Sequence, residues 1–330
     1  MSRNGFSSLR TALGFAVIAG AVAAAYGTLI ERRAFTLREV TLPVLPPNAR
    51  AIRVLHLSDL HMAPWQRDKQ EWVRELARLE PDLVVDTGDN LGHSEGLVGI
   101  GAALDSFRGI PGVFVHGSND YFGPRPKNPF RYFLKSNRSH NNATARALDT
   151  DALNTYLHDL GWVSLNNGAQ KLTIKGTTIE FFGVDDPHIN HDDLSAIPGA
   201  LEELRENDSD QHAHETGSER NVLTVGVAHA PYQRVLDAFV TNGAQLIFAG
   251  HTHGGQVCLP GFGALVTNCD IPRQQVKGLS TWRHGLREAF LNVSAGLGTS
   301  IYAPVRFACR PEATLLTLVP VRNSAPARVS

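Results

Sequence analysis

The chain has 330 residues, 42% of them hydrophobic and 19% charged, which suits one sizeable α/β core or two small ones. A formal net charge of −1 provides no basic stripe for nucleic acid and no reason to expect broad disorder. Three cysteines without a CxxC exclude a disulfide framework and a thiolate zinc site; Cys258 and Cys269 flank a Pro/Gly-rich turn and could pair, but three buried free thiols are the expectation.

After a basic start over 1–10 with Arg3 and Arg10, residues 11–30 (TALGFAVIAGAVAAAYGTLI) carry no charge. Twenty such residues can cross a hydrocarbon core of ~30 Å as a helix. A cleaved signal is the competing reading, and a retained single-pass anchor in the cell membrane is expected because the apolar run is long. Arginines on both flanks barely discriminate orientation, and the export-like start places the following domain outside the cytoplasm. Residues 31–50, ending in Pro43, Pro46 and Pro47, read as a linker; 51–320 read as one domain and 321–330 as a tail.

Within the domain, strands are predicted over 51–57, 82–86 and 113–115, with helices over 66–80 and 94–107 between them. Later strands are predicted over 178–182, 222–227, 245–248, 290–293 and 314–319, with a helix over 232–242 stopped by Gly243. The alternation argues a layered α/β core. Two stretches read as insertions. Residues 124–150 interleave Arg125, Lys127, Arg131, Lys135, Arg138 and Arg146 with Phe130, Tyr132 and Phe133. Residues 202–221 read as a polar surface loop.

Chemistry-bearing residues fall at strand ends: Asp59-Leu60-His61, Gly88-Asp89-Asn90, Gly117-Ser118-Asn119-Asp120, His229, and Gly250-His251-Thr252-His253. Ligands bind at the carboxyl ends of strands in open α/β sheets, so five such ends point to one rim. Imidazole plus carboxylate suits zinc, iron or manganese. Strand alternation would send both members of Asp59-x-His61, and of His251-x-His253, to one face. His188, His191, His212 and His214 read as solvated loop residues; Asp185-Asp186-Pro187-His188 could reach the site as a substrate contact, but a turn is the simpler reading.

These motifs, in this order, resemble the calcineurin-like metallophosphoesterase superfamily over roughly residues 50–320. The run GHTHGGQ and the N-terminal apolar segment resemble its membrane-associated YkuE-like branch, in which some members cleave the pyrophosphate of UDP-diacylglucosamine. The resemblance implies two mixed β-sheets in a sandwich flanked by helices. It implies two metal ions (Mn, Fe or Zn), one on Asp59, His61, Asp89 and His253, the other on Asp89, an asparagine of the third motif, His229 and His251. Asp89 and a hydroxide would bridge them, and the hydroxide would attack phosphorus in line. The third motif departs from the family pattern Gly-Asn-His-Asp. Without a gap, Ser118 takes the ligand's place and Asn119 the histidine's; with a shift of one, Asn119 ligates. Asn119, Asp120 and His116 are the candidates for catalytic contact, His116 as a substitute proton donor. The expected function is metal-dependent hydrolysis of a phosphodiester or phosphoanhydride, on a substrate that can be lipid-linked, with the membrane as partner and no nucleic acid. The alternative is a catalytically weak metal-binding or scaffold protein that keeps the fold.

Overall fold

The central apolar runs lack polar alternation because they are buried on both faces. The computed structural model describes residues 3–124, 146–211 and 222–321. Helix α1 (Arg3–Leu29) precedes strands β1 (Thr36–Leu45) and β2 (Ile52–Leu57), helix α2 (Arg67–Glu75), β3 (Leu83–Asp86), α3 (Gly96–Leu104), β4 (Gly112–Phe114) and the one-turn helix α4 (Ser118–Tyr121). Then come α5 (Thr150–Leu160), β5 (Trp162–Ser164), β6 (Gly168–Ile174), β7 (Thr177–Gly183), α6 (Ala196–Gln211), β8 (Leu223–Val227), α7 (Gln233–Thr241) and β9 (Leu246–Ala249). A small hairpin of β10 (Cys258–Leu259) and β11 (Gly263–Ala264) leads to β12 (Gly278–His284), β13 (Arg287–Val293) and β14 (Glu312–Pro320).

Two six-stranded mixed sheets result, ordered β1-β14-β2-β3-β4-β5 and β12-β13-β9-β8-β7-β6. Neighbouring residues on one strand face opposite layers. Val54, Val85, Phe181 and Phe248 fill the space between the sheets. Leu55 and Val84 turn outward under α2, α3 and α5, where Val73, Ile100 and Leu157 cover them. Phe182 and Ile247 turn outward under α7, against Val235 and Phe239. The sandwich flanked by helices is the architecture expected from the resemblance.

Several boundaries differ from the sequence reading. Half of the stretch 31–50 is strand rather than linker: Thr36–Leu45 adds in parallel to β14, with Thr36 opposite Glu312 and Pro43 opposite Val319. Pro43 is tolerated because β1 is the sheet edge. Residues 202–211 continue helix α6 rather than forming a loop, anchored by an Arg205–Glu180 ion pair of 2.8 Å; residues 212–221, including His212 and His214, lie outside the described residues. The same holds for 125–145, with Arg125, Lys127, Phe130, Arg131, Tyr132, Phe133, Lys135 and Arg138, and for 322–330. The flanks of the former meet, since the Gly123 N–H donates to Arg146 O at 2.8 Å and Phe122 bridges Ala147. All three cysteines are free and buried, as expected.

Helix α1 is long and apolar enough over Leu13–Arg33 to cross a membrane. Phe15, Val17, Ile18 and Val22 stand exposed along it, whereas Glu31 is buried against the domain.

Candidate metal centre

The polar residues lie just beyond the strand ends, in backbone that strands do not adopt. Asp59, His61, Asp89, His251 and His253 have φ of 50°, 39°, 57°, 66° and 50°. The left-handed region costs a non-glycine residue roughly 1–2 kcal/mol and persists only where surroundings over-determine it. Here the loops fix one another: the Asp59 and His61 N–H groups donate to the carbonyls of Gly88 and Asp89, both at 2.9 Å, and the Gly298 N–H to Asp59 O at 2.6 Å. Strand alternation is therefore not what brings Asp59 together with His61, or His251 with His253. Paired tight loops do it.

Those loops converge. His61 Nε2 lies 3.4 Å from Asp89 Oδ2 and 3.2 Å from His253 Nε2. His253 Nε2 lies 3.5 Å from Asp59 Oδ1. His229 Nε2 lies 3.6 Å from Asp89 Oδ1 and 3.2 Å from His251 Nδ1. Two sets of ligand atoms lie close enough to share an ion: Asp59, His61 and His253, and Asp59, Asp89 and His229. Outer contacts aim them. His229 Nδ1 donates to Thr87 O at 2.7 Å, leaving Nε2 for the centre. Asp59 Oδ2 accepts from Ser58 Oγ at 2.6 Å and the His251 N–H at 3.0 Å. Asp59 Oδ1 is buried with no hydrogen-bond partner among the described residues. An orphaned carboxylate oxygen facing imidazole nitrogens is a donor set that fits a divalent cation.

Electrostatics support the same reading. Burial pushes Asp59 and Asp89 above the ordinary carboxylate range. Burial also drives His61 and His251 well down, and His253 down to about 3. His229 is the exception: burial works to lower it, but Asp89, Asp186 and Asp59 outweigh that and raise it to about 9. The carboxylates that attract a proton to this pocket would attract a metal cation in its place.

The third motif resolves by side-chain direction. Asn119, not Ser118, reaches the centre: its backbone N–H and Nδ2 donate to the two oxygens of Asp89 at 2.8 and 2.7 Å. Ligation through Oδ1 needs the flipped amide, which has the same shape. Gly117 makes this approach possible, because a Cβ there would sit 2.3 Å from Asp89 Oδ1. Asp120 does not face the centre. It is fully buried and accepts from the N–H groups of Asp89 (2.9 Å), Asn90 (2.7 Å), Leu91 (3.3 Å) and Gly117 (2.9 Å). His116 is buried behind it, with Nε2 2.7 Å from Asn154 Oδ1 and Nδ1 3.7 Å from Asp120 Oδ2. Both hold the loop of Asp89 here, a positioning place that differs from the contact place expected of them.

Sequence reasoning set two groups aside in favour of a turn and missed a third. His188 is not simply solvated: its ring centre lies 4.3 Å from that of His251, and Nδ1 lies 3.0 Å from Tyr232 Oη. Asp186 is buried beside this site, and burial raises it to about 7. The available signal was the position of Asp185-Asp186 just past β7, at the same kind of strand end as the ligands. Arg306 is fully buried; its Nη2 donates to the carbonyls of Ala295, Gly296 and Gly298 at 2.7–2.9 Å and lies 3.4 Å from His253 Nδ1. A lone arginine in a loop carries no sequence signal of that kind.

An α/β sandwich with buried Asp/His loops at its strand ends defines a metal-binding hydrolase. Residues 52–255 match the calcineurin-like phosphoesterase family, to which this chain belongs. It is a phosphoester hydrolase by that membership, and the family is metal-dependent. The chain is 24% identical to the uncharacterized metallophosphoesterase YkuE of Bacillus subtilis (strain 168), over 92% of this chain and 93% of that one. It is 29% identical to a transmembrane protein with metallophosphoesterase domain from Bos taurus, over 76% of this chain and 51% of that protein's length. Among solved structures, TT1561 of Thermus thermophilus is a distant resemblance: TM-score 0.41 and 12% identity, over 75% of this chain and 91% of its own.

Proposed function

We propose that this chain is a membrane-anchored hydrolase of a phosphodiester or phosphoanhydride with a stable leaving group, working at a two-metal centre. The observation that carries the reading is the pair of ligand sets that share Asp59, one of them including Asp89, with Asp59 Oδ1 left without a hydrogen-bond partner among the described residues. Asp59, His61, Asp89 and His253 would hold one ion, and Asp89, Asn119, His229 and His251 the other. Two ions there would polarise the phosphoryl oxygens and bring a water's pKa towards neutrality. The chain's own part is orientation. Thr87 O fixes the His229 tautomer, Asn119 fixes both oxygens of Asp89, and Arg306 braces the 295–298 loop that holds Asp59.

The leaving-group preference rests on the third motif. An amide side chain cannot act as a general acid, and Asn119 occupies the place beside Asp89. A general acid typically contributes ~10²–10⁴-fold by protonating a departing oxygen. Phosphate and nucleotide groups need that help least, so a pyrophosphate, such as the lipid-linked nucleotide type suggested by the resemblance, fits better than an alkyl monoester. Retention of the anchor is supported by the packing of Glu31 into the domain, where its carboxylate accepts the Ala308 and Cys309 N–H groups at 3.0 and 2.6 Å.

The test is a series of aryl and alkyl phosphodiesters with manganese. Rates should fall steeply as leaving-group pKa rises. A shallow slope in the parent sinks the preference. Intact metal binding without turnover of any member favours the scaffold alternative.

A further inference from the structure

We propose that the pocket where α1 meets the domain binds the phosphate headgroup of an anionic membrane lipid, with the hairpin tip Leu259–Phe262 resting in the bilayer surface beside it. This rests on reading α1 as a retained membrane anchor.

The end of α1 is docked, not tethered. Gly27 O accepts the Arg306 N–H at 3.1 Å. A Cβ on Gly27 would lie 2.6 Å from Arg306 O, so only glycine allows this approach. The Tyr26 ring meets Phe307 edge-on, with centres 6.3 Å apart. Together with the Glu31 clamp, these contacts make the helix end and the segment 306–309 one unit. They also set its depth. The exposed apolar residues of α1 run up to Leu29 and Ile30, and Glu31, Arg32 and Arg33 follow at once. Whatever is level with Tyr26 and Glu31 therefore lies at the headgroup region, where tyrosine and arginine commonly mark the interface.

A pocket of about 530 Å³ opens at that level, lined by Tyr26, Glu31, Arg38, Lys277, Arg310 and Glu312 among others. Its charges do not cancel locally. Glu31 is committed to backbone N–H groups. Glu312 is committed to Arg38 at 2.8 Å and to the Ala295 N–H at 3.2 Å. Lys277 Nζ lies 3.9 Å from Cys309 Sγ, and neither it nor Arg310 has a carboxylate partner among the described residues. With Arg38 they outnumber Glu31 and Glu312 by one in the lining, so the pocket keeps a net positive charge and attracts an anion. Pro260 lines the same pocket and ties it to the hairpin tip. There Leu259 and Phe262 are 46% and 58% exposed. The Arg273 guanidinium lies 4.5 Å over the Phe262 ring, an arrangement suited to an apolar tip in lipid with its cation at the phosphates. Single exposed apolar residues are ordinary; these adjoin a helix end whose own apolar face is unpaired, and a cationic pocket between them.

Free phosphate and a lipid headgroup share the chemistry that Lys277 and Arg310 would recognise, and the experiment separates them. The full chain is placed in phosphatidylcholine nanodiscs, and the protein-bound fraction of spin-labelled phosphatidylglycerol is compared with that of spin-labelled phosphatidylcholine. A basic residue near an anionic surface contributes about fivefold in affinity, and the Glu31 carboxylate offsets one of the two, so the preference for phosphatidylglycerol should be about fivefold. Lys277→Gln with Arg310→Gln should bring the preference near unity, and Lys277→Arg with Arg310→Lys should keep it. Phe262→Trp should be quenched by brominated lipid. Equal retention of the two lipids, or a preference that survives the Gln pair, overturns the assignment. So does a preference abolished by millimolar inorganic phosphate, which would make this a site for the free anion. Carbonate washing is the separate control: release of the chain from membranes removes the anchor reading itself, whereas an anchored chain without lipid preference removes only the headgroup site.

Discussion

Replacing Asp120 by asparagine should unfold the protein more easily without touching any reacting atom. The carboxylate accepts four buried backbone N–H groups, from Asp89, Asn90, Leu91 and Gly117. Asparagine keeps one acceptor oxygen. If that oxygen serves Asn90 and Leu91, the amide NH₂ opposes the N–H groups of Asp89 and Gly117, and two buried donors lose their acceptor. Each costs ~1–3 kcal/mol, so the loss is roughly 2–6 kcal/mol, a large share of a typical stability of ~5–15 kcal/mol. The loop carrying Asp89 should loosen as well, and metal affinity should fall with it. The pH dependence has a definite sign. Burial alone would raise the Asp120 pKa, but the His116 hydrogen bond and charge, with backbone donors from Gly117 and Asn90, hold it below the ordinary value. Its contribution is fully present above the unfolded carboxyl pKa of ~3.9 and is lost as pH falls through the folded value. The gap between parent and variant should be widest near neutrality and close in strong acid. Denaturant unfolding of the full chain in detergent at several pH values, with metal content measured alongside, tests this. A variant within about 1 kcal/mol of the parent at neutral pH, with kcat abolished and metal retained, would refute the positioning role and return Asp120 to the chemistry.

Asp89→Ala should remove both ions, as judged by elemental analysis of the purified chain; two ions per chain would contradict a bridging role. His253→Ala should weaken chiefly the site built with Asp59 and His61, so a metal titration should show one weakened and one nearly unchanged binding step. Gly117→Ala should fold yet lose about 10²-fold in kcat/KM, because the new methyl displaces Asp89, and misplacement by ~1 Å costs about that much. A parent-like rate would mean that the loop absorbs the methyl without moving Asp89.

Residue types and their order made the centre legible, but the backbone that builds it was hidden. Asp59 and Asp89 stood out because each follows an apolar run that could only be a buried strand. Their left-handed conformation could not be read, since nothing in Asp-Leu-His distinguishes a continuing strand from a tight loop held by Gly88 O. The edge strand 36–45 was missed for a related reason: Arg38, Glu39 and Pro43 break its apolar pattern, and its partner is remote in sequence. Asp186 and His188 were readable in principle from their place past β7, yet an Asp-Asp-Pro run reads locally as a turn. The role of Arg306 depends on three carbonyls contributed by a neighbouring loop, which only the folded chain brings into range.

The strand order of the first sheet has a consequence for synthesis. β1 and β2 are consecutive in the chain, yet β14 lies between them, and the Arg38–Glu312 pair that helps join β1 to β14 spans 274 positions. Until the last strand emerges, a slot stays open between the first two. At ~5–20 residues per second that interval lasts on the order of 15–55 seconds. Throughout it, the nascent chain carries two unpaired strand edges next to a membrane-bound helix, a natural target for a holding chaperone and for wrong pairing with another chain. Stalling translation just before residue 312 should leave the domain protease-sensitive while α1 is already in place, and release of the final strand should close it in one step.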